Sequence, residues 1–400
     1  MTVNATTLAP FLKEYYSGDA LTEIVYENPE LAIFEKKAVS AVGKYYVQPV
    51  LYSLGGTASA SLTSAIAGQG SPLPEDFQVP YRTLFKEGTI EHLVMLQSKS
   101  DKGAFVEAVT LATDCMVKDL SHHLAMRCWR DHGGALASLS AVATTTITND
   151  TWTLTNADDV SNFHVGMQVQ ASSTDGTSGS VISTVAQITN VNRDDGKLTV
   201  NATIPGVASS YYVFPAGTFG NAMNGYLSWC PTSAPGLSDS FLGVNRSVDS
   251  WLGGTRVSGS SLPVNVALRK LAARMGRDGV YPDTCFMSPT RFNTLVGELF
   301  GKIVYCDVKA SDADISFRGV ELPLSKGSVK VLPSHNCPQN VASLFVRDAI
   351  KLVHVGELIG FWDEGGRLHM HDTYAGYKLR ASSYVNMACR APKELGVVTF

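Results

Sequence analysis

Apolar residues recur at steps of three or four from Lys102 to His132. Phe105, Val109, Ala112, Met116, Leu120 and Leu124 fall on one stripe, which predicts a long helix with that stripe as its core face. Gly133-Gly134 closes it, as glycine does just past a helix C-terminus. Arg127, Arg130 and His132 stand in its last turns, where positive charge suits the helix dipole. At 1.5 Å per residue it spans roughly 45 Å. A second amphipathic helix runs from Pro263 to Gly276 through Val266, Leu268, Leu271 and Met275. Ser288-Pro289 reads as an N-cap with proline at the first helical position, and Arg291 to Phe300 continues that helix.

Other stretches follow a period of two. Tyr45 to Pro74 opens with the strand-like run YYVQPVLYSL, turns Gly/Ser/Ala-rich and contains no charged residue. Phe77 to Phe85 and Thr89 to Gln97 read as returning strands. Such a hairpin leaves strand edges that invite pairing, so it is expected to lie on a neighbouring subunit, with a mobile active-site lid as the blander reading. From about Ala143 to Gly217, WTLT, HVGMQVQA, VAQITNV and KLTVNATI alternate like half-buried strands. Turn signals stand at Asn149-Asp150, Asp175-Gly176 and Asp195-Gly196. They predict an inserted small β-barrel or sandwich. Beyond it, an uncharged connector from Phe219 is expected to be extended. Thr284 to Met287 is a buried-strand candidate, and strands follow near Val304 and Val329. SVKVLPSHNCPQNVASLFVRDAIKL, from Ser328, predicts two strands around a turn at Pro333, Asn336, Pro338 and Asn340. Tyr377 to Cys389 is a longer strand that carries the chain back into a core. At the other end, Ala20 to Tyr26 and Glu30 to Val42 read as short helices separated by Asn28-Pro29, in an arm too poor in apolar residues to form its own core.

Composition narrows the classes. The 400 residues suffice for two or three domains, and 44% apolar content excludes a wholly disordered chain. Charged residues make up only 17%, which suggests surface covered by something other than water, and a net charge of −4 argues against a nucleic-acid grip spread over the whole molecule. The seven cysteines lie far apart without a CxxC pair, as free buried thiols of a reducing compartment do. No secretory leader follows Met1, and no apolar run reaches the ~20 residues of a membrane helix.

The candidate chemistry is weak. GELFGK at Gly297 to Lys302 is one residue short of a phosphate loop and sits in a predicted helix. Adjacent His122 and His123 point about 100° apart, so one is expected to pack and the other to face solvent. His369 and His371 share a strand face and could hold a metal with Asp372 or His354, but no fixed spacing supports it, and Asp312 with Asp314 reads as a loop. Lys36-Lys37 is an adjacent basic pair, better explained as a solvated face than as a nucleic-acid patch. There is no HExxH, GxSxG or dinucleotide fingerprint. No catalytic, cofactor or metal residue is assigned.

The order of elements now says more than any motif. Together with the closing YAGYKLRASSYVNMACRAPKELGVVTF and the segments FLGVNRSVDSWLGG and PDTCFMSPTRFNTLV, it resembles the major capsid proteins of tailed bacteriophages of the Hong Kong 97 type. The resemblance implies an α+β HK97-like fold carrying an inserted small β-barrel or sandwich. Residues 1–43 would be the N-terminal arm, 44–98 the E-loop hairpin, 99–142 the peripheral domain with the spine helix and 143–218 the insert. Residues 219–262 would be the connector, 263–365 the axial domain and 366–400 the return to the peripheral domain. It further implies a structural virion protein with no enzymatic role. Many copies would assemble in the host cytoplasm through hexamers and pentamers into an icosahedral shell, enclosing double-stranded DNA without reading its sequence. The implied partners are a portal protein, a separate scaffolding protein or none, and in some members a decoration protein. Candidate intersubunit contacts are Tyr45, Tyr46, Leu51, Leu54, Leu62, Ile66, Leu73 and Phe77. Some members cross-link a lysine to a neighbour's asparagine. Lys86 lies near the hairpin, but no partner matches and no cross-link is assigned. The competing readings are an encapsulin-like compartment, a cytosolic α/β enzyme with a β-domain insert, and a tail or surface adhesion module.

Overall fold

The computed structural model describes residues 28–40, 43–93, 108–146, 149–299, 305–310, 313–362, 369–370 and 376–400. Phe105, the Ala20–Tyr26 segment, Asp312, His371, Asp372 and the end of GELFGK lie outside them. The chain opens on helix α1 (Pro29–Ile33) and strand β1 (Glu35–Val39). The single helix expected from Glu30 to Val42 is therefore replaced by a turn of helix and a strand. The reason is tertiary: Ile33 and Phe34 turn into the core, and β1 is captured in parallel along a later strand, with Glu35 opposite Lys351. Strands β2 (Tyr45–Ser53) and β3 (Leu73–Pro80) form an antiparallel hairpin with helix α2 (Leu62–Ala67) at its tip. After Tyr81 one strand, β4 (Arg82–Glu91), replaces the break expected between Phe85 and Thr89. It leaves the hairpin because the long C-terminal strand offers it ten register positions, from Gly376↔Glu91 to Val385↔Arg82.

Helix α3 (Ala108–Trp129) is the expected long helix. Met116, Leu120 and Leu124 are buried, with Val109 and Ala112 half-buried. The one-sided stripe ends near Leu124, however, and from there to Arg130 every residue is buried. Arg127 and Arg130 are thus not surface charges. Arg130 donates to the carbonyls of Met126 (3.3 Å), Asn336 (3.3 Å) and Leu136 (3.1 Å), which satisfies a helix end that has lost access to water.

A closed six-stranded barrel follows, formed by β5 (Ala137–Thr146), β6 (Asn149–Leu154), β7 (Gln168–Ser172), β8 (Ala186–Asn192), β9 (Lys197–Val200) and β10 (Tyr212–Pro215). Trp152, Val169, Ile188, Leu198, Val200 and Val213 alternate inward to fill it. β5 and β10 add to the four strands read from the sequence. The small residues of ASLSAVATTT hide their alternation, and YVFP lies inside a long uncharged run.

The connector is not the extended surface segment expected. Helix α4 (Tyr226–Trp229) and the strands β11 (Ser240–Phe241) and β12 (Val244–Asn245) pass through the main core, and β13 (Thr255–Ser258) then pairs in parallel with the chain's last strand. Tyr226 donates to the Gly396 carbonyl (2.8 Å), and Trp229 donates to the Met387 carbonyl (3.0 Å). Next come α5 (Val264–Arg277), β14 (Thr284–Met287), α6 (Pro289–Glu298), β15 (Tyr305–Ala310), β16 (Ala313–Pro323), β17 (Ser328–Pro333), β18 (Val341–Phe345) and β19 (Ile350–Val355). Ser288 caps α6 as its sequence requires, accepting from the Arg291 amide. The chain ends on β20 (Gly360–Phe361), β21 (His369–Met370), β22 (Gly376–Cys389) and β23 (Leu395–Thr399).

Two sheets carry the body. One has β22 at its centre, flanked by β4, β19, β20 and β21, with β1 outermost on β19. The other runs β13-β23-β18-β14-β17-β16-β15. Phe34 of the arm, Trp129 of α3, Tyr226 of the connector and Phe286 and Phe345 of the second sheet meet in one aromatic cluster. Its ring centroids lie 5.5 Å (Phe34–Trp129), 4.9 Å (Trp129–Phe286) and 5.6 Å (Tyr226–Phe345) apart.

Beside that cluster the arm is tied down by a fully buried carboxyl. Glu30 accepts from Ser334 Oγ (3.1 Å) and from Asn336 Nδ2, and burial raises its pKa to about 7. The folded state therefore keeps a proton that the unfolded chain gives up near 4.5, so the stabilising protonated form is lost as pH rises through about 7. Buried His122 and His123 work in the opposite sense, because burial lowers them to about 4 and about 3 and folding loses stability as pH falls below 6.5. Comparison of wild type with Glu30→Gln isolates the glutamate. The wild type should lose on the order of 3 kcal/mol relative to the variant between pH 4.5 and pH 8, measured by urea denaturation. Parallel pH profiles of the two proteins would contradict a buried titrating carboxyl.

Candidate assembly surface

The hairpin is divided along its length. Val50, Phe77 and Val79 anchor its base in the main core. Phe77, read from the sequence as an intersubunit contact, is instead wholly buried, edge-on to Trp229 at 5.0 Å and Phe241 at 6.4 Å. Tyr46 is half-buried at the base and accepts from Lys37 Nζ. The alternation that suggested contacts is real, but near the base the inward face meets the connector of its own chain. Farther out the same pattern has no partner. Leu51, Leu54, Leu62, Ile66 and Leu73 are exposed, with Leu54 at 83% and Leu62 at 77%. Tyr45, at the root of the hairpin opposite Pro80, is exposed as well, with Lys44 over its ring at 5.1 Å.

The tip shows the imbalance most sharply. α2 is six residues long, buries no side chain and has no side-chain N-cap bond. A free helix this short does not hold itself together in water. Leu62 and Ile66, one turn apart, give it an apolar face that nothing in its own chain covers. The neck beneath is narrow, because Gly55 and Gly70 let the two backbones approach where any Cβ would collide: one on Gly55 would stand 2.3 Å from the Ser71 carbonyl oxygen, one on Gly70 2.6 Å from the Gly56 amide nitrogen.

The polar candidates are absorbed elsewhere. Lys86 pairs with Asp119 of its own chain at 2.9 Å. Burial alone would raise the Asp119 pKa, but His123, Lys86 and His164 outweigh it and hold the carboxyl below its usual range. His122 and His123 are both packed, neither facing solvent, since the barrel covers that side of α3 and brings His164 beside His123 at 6.4 Å. His354 bonds the Gly356 carbonyl (2.9 Å). Among the described residues, no group of three or more His, Cys, Asp or Glu is placed to hold a metal. The thiols of Cys128, Cys230, Cys285, Cys337 and Cys389 are buried, and burial raises their pKa values, that of Cys230 to about 12, so they are poor nucleophiles. One feature escaped the sequence reading. Arg269-Lys270 is a second adjacent basic pair, and the structure exposes both side chains on α5.

An arm rooted in the core, a projecting hairpin, a long helix packed under a sheet and a second mixed domain define the HK97-type shell-protein fold. Solved structures bear this out over the whole chain. The Cyanophage A-1(L) capsid asymmetric unit matches with a TM-score of 0.59 at 12% identity, covering 99% of this chain and 98% of that one. The capsid of a native GTA particle matches at 0.54 and 11%, covering 100% and 99%. The holo-SrpI encapsulin complex from Synechococcus elongatus PCC 7942 matches at 0.52 and 10%, covering 100% and 96%. At these identities the likeness is one of fold. No protein-family model matches the chain, and no curated protein matches it by sequence.

Proposed function

We propose that this chain is the major capsid protein of a tailed phage or a phage-derived particle, a structural protein that builds an icosahedral shell around double-stranded DNA. The observation that carries the reading is the distal hairpin. An uncharged, apolar extension with no partner in its own chain, on a fold shared with capsid chains over their full length, is suited to lie on a neighbouring copy. In this reading the E-loop is residues 44–80 in place of the expected 44–98, since β4 joins the β22 sheet, and α3 is the spine helix. α5 to β18 with β13 and β23 form the axial domain, so β19 leaves the expected 263–365 stretch and β23 the expected 366–400 return. The barrel is an insert clamped to the body. Arg130 faces Asp159 at 3.8 Å, and Asp158 accepts from Thr290 of α6 at 2.8 Å. Hexamers and pentamers, a portal, and a separate scaffolding protein or none belong to the same proposal.

Light scattering on the expressed chain, with negative-stain images of the same fractions, tests it. Shells, open sheets or rings are expected. A stable monomer or dimer that stays so when neighbouring phage genes are co-expressed would refute it. The encapsulin match supports a second reading, a compartment that holds protein cargo. Nuclease-protected DNA in particles from the native host decides for the first, and a co-purified enzyme without DNA for the second.

A further inference from the structure

Helix α5 packs Val264, Ala267, Leu268, Leu271, Ala272 and Met275 inward. Its solvent face carries Arg269, Lys270, Arg274 and Arg277, and the helix contains no acidic residue. At 100° per residue the four bases fall within about 140° of one another, so they form a single stripe. It is roughly 12 Å long from Arg269 to Arg277. Val266, expected inward from the sequence, lies exposed beside it.

The ordinary explanation for such charges is a solvated helix, but a solvated helix mixes signs and gains from i,i+4 ion pairs. Here Lys270 and Arg274 stand four apart with like charge, a spacing that weakens an isolated helix. The dipole accounts for Arg274 and Arg277 in the last turn, but Arg269 and Lys270 sit mid-helix beyond its reach. Among the described residues none of the four has an ion pair, and Arg274 donates only to the Arg256 carbonyl (3.0 Å). Two acidic residues stand at the ends of the helix. Glu298 is committed to the N-terminal amides of Val264 (2.8 Å) and Asn265 (2.9 Å), and Asp278 follows the C-terminus.

We propose that the solvent face of α5 is a surface for the phosphate backbone of duplex DNA, gripping it without reading sequence. The inference rests on the DNA-enclosing shell reading for its setting and identifies the surface of the subunit turned toward the contents. A row of cations with no counter-charge complements a polyanion of even charge density, and the chain's net charge of −4 argues against a grip spread over the whole molecule. Nothing on the face is shaped for base edges, so the binding is by charge alone.

Fluorescence anisotropy with a random 30-bp duplex and unassembled chain tests it, with sizing of particles in parallel. The wild type should bind, and four phosphate contacts should weaken binding roughly a hundredfold between 50 and 200 mM salt. The Arg269→Glu, Lys270→Glu, Arg277→Glu variant should lose at least tenfold in affinity and most of the salt slope, with an unchanged circular dichroism spectrum. Lys36→Glu with Lys37→Glu should bind as wild type does. Wild-type binding by the α5 variant, or loss in the β1 variant instead, overturns the proposal. So does poly-glutamate competing as well as DNA at equal charge, which would assign the stripe to an acidic protein segment. Particles that form normally while DNA binding is absent sink this inference and leave the shell reading standing. Binding without particles does the reverse.

Discussion

Gly225→Ala is expected to destabilise the fold more than any other glycine substitution in the connector. The backbone at Gly225 is ordinary, with φ −80° and ψ −166°, so conformational freedom is not the reason for glycine there. The reason is close approach. A Cβ would stand 2.2 Å from the carbonyl oxygen of Arg127, 2.3 Å from that of Arg130 and 2.8 Å from that of Cys128. These carbonyls belong to the C-terminal end of α3, where no further turn of helix donates to them. Neither side can give way. The helix end is held by the Arg130 guanidinium, and the connector is held by the Asn224 amide on Asn386 Oδ1 (2.9 Å) and by Tyr226 and Trp229 in the core. Overlap with three backbone atoms in a packed site should cost on the order of 4 kcal/mol or more. A fall in Tm of roughly 5 °C or greater, or insoluble expression, is expected. Gly236→Ala is the control, since nothing lies within 4 Å of its added carbon, and it should melt with the wild type. Equal melting of all three proteins would mean that the connector is not seated on the helix end.

The same junction shows what the sequence could convey. Periodicity is a local property, and where one face of an element meets one environment it was legible. Met116, Leu120 and Leu124 of α3, the Ser288 cap of α6 and the inward alternation of β6 and β9 are examples. What periodicity cannot state is which surface meets which. Phe77 and Leu73 belong to the same alternating run, yet Phe77 finds Trp229, some 150 positions later, and Leu73 is left exposed. Glu30 reads as an ordinary surface residue of an arm until Ser334 and Asn336, three hundred positions away, enclose it. The sequence of β1 reads as helix because only its pairing with β19 makes it a strand. The insert was recognisable by its turns, but its first and last strands were not, because barrel closure is a long-range event. The candidate surface was legible as a segment, and its division into a buried base and an unpartnered tip was not.

That division yields the sharpest expectation for assembly. Leu54→Asp, Leu62→Asp and Ile66→Asp together should leave the soluble subunit as stable as wild type and abolish closed shells. All three side chains are already exposed in the isolated chain, at 83%, 77% and 56%, so charge there removes no internal contact. Covered by a neighbour, each is worth about 1.5–3 kcal/mol, and a carboxylate forced under the same cover costs more than the lost burial. A deficit above about 4 kcal/mol per contact lowers the contact's association constant by at least a thousandfold. A shell repeats that contact for every copy, so the effect on closure is close to all-or-none. Light scattering and negative stain should then show subunits or small rings where the wild type gives particles, while the two thermal melts superimpose. Deletion of Ser59 to Gly70 should behave alike, because it removes α2 and leaves Val50, Phe77 and Val79 in the core. Shells of normal yield from the triple variant would place the subunit contact elsewhere on the chain. A lowered melting temperature would show instead that the tip folds back on its own subunit, and the distal hairpin would lose its claim to be the assembly surface.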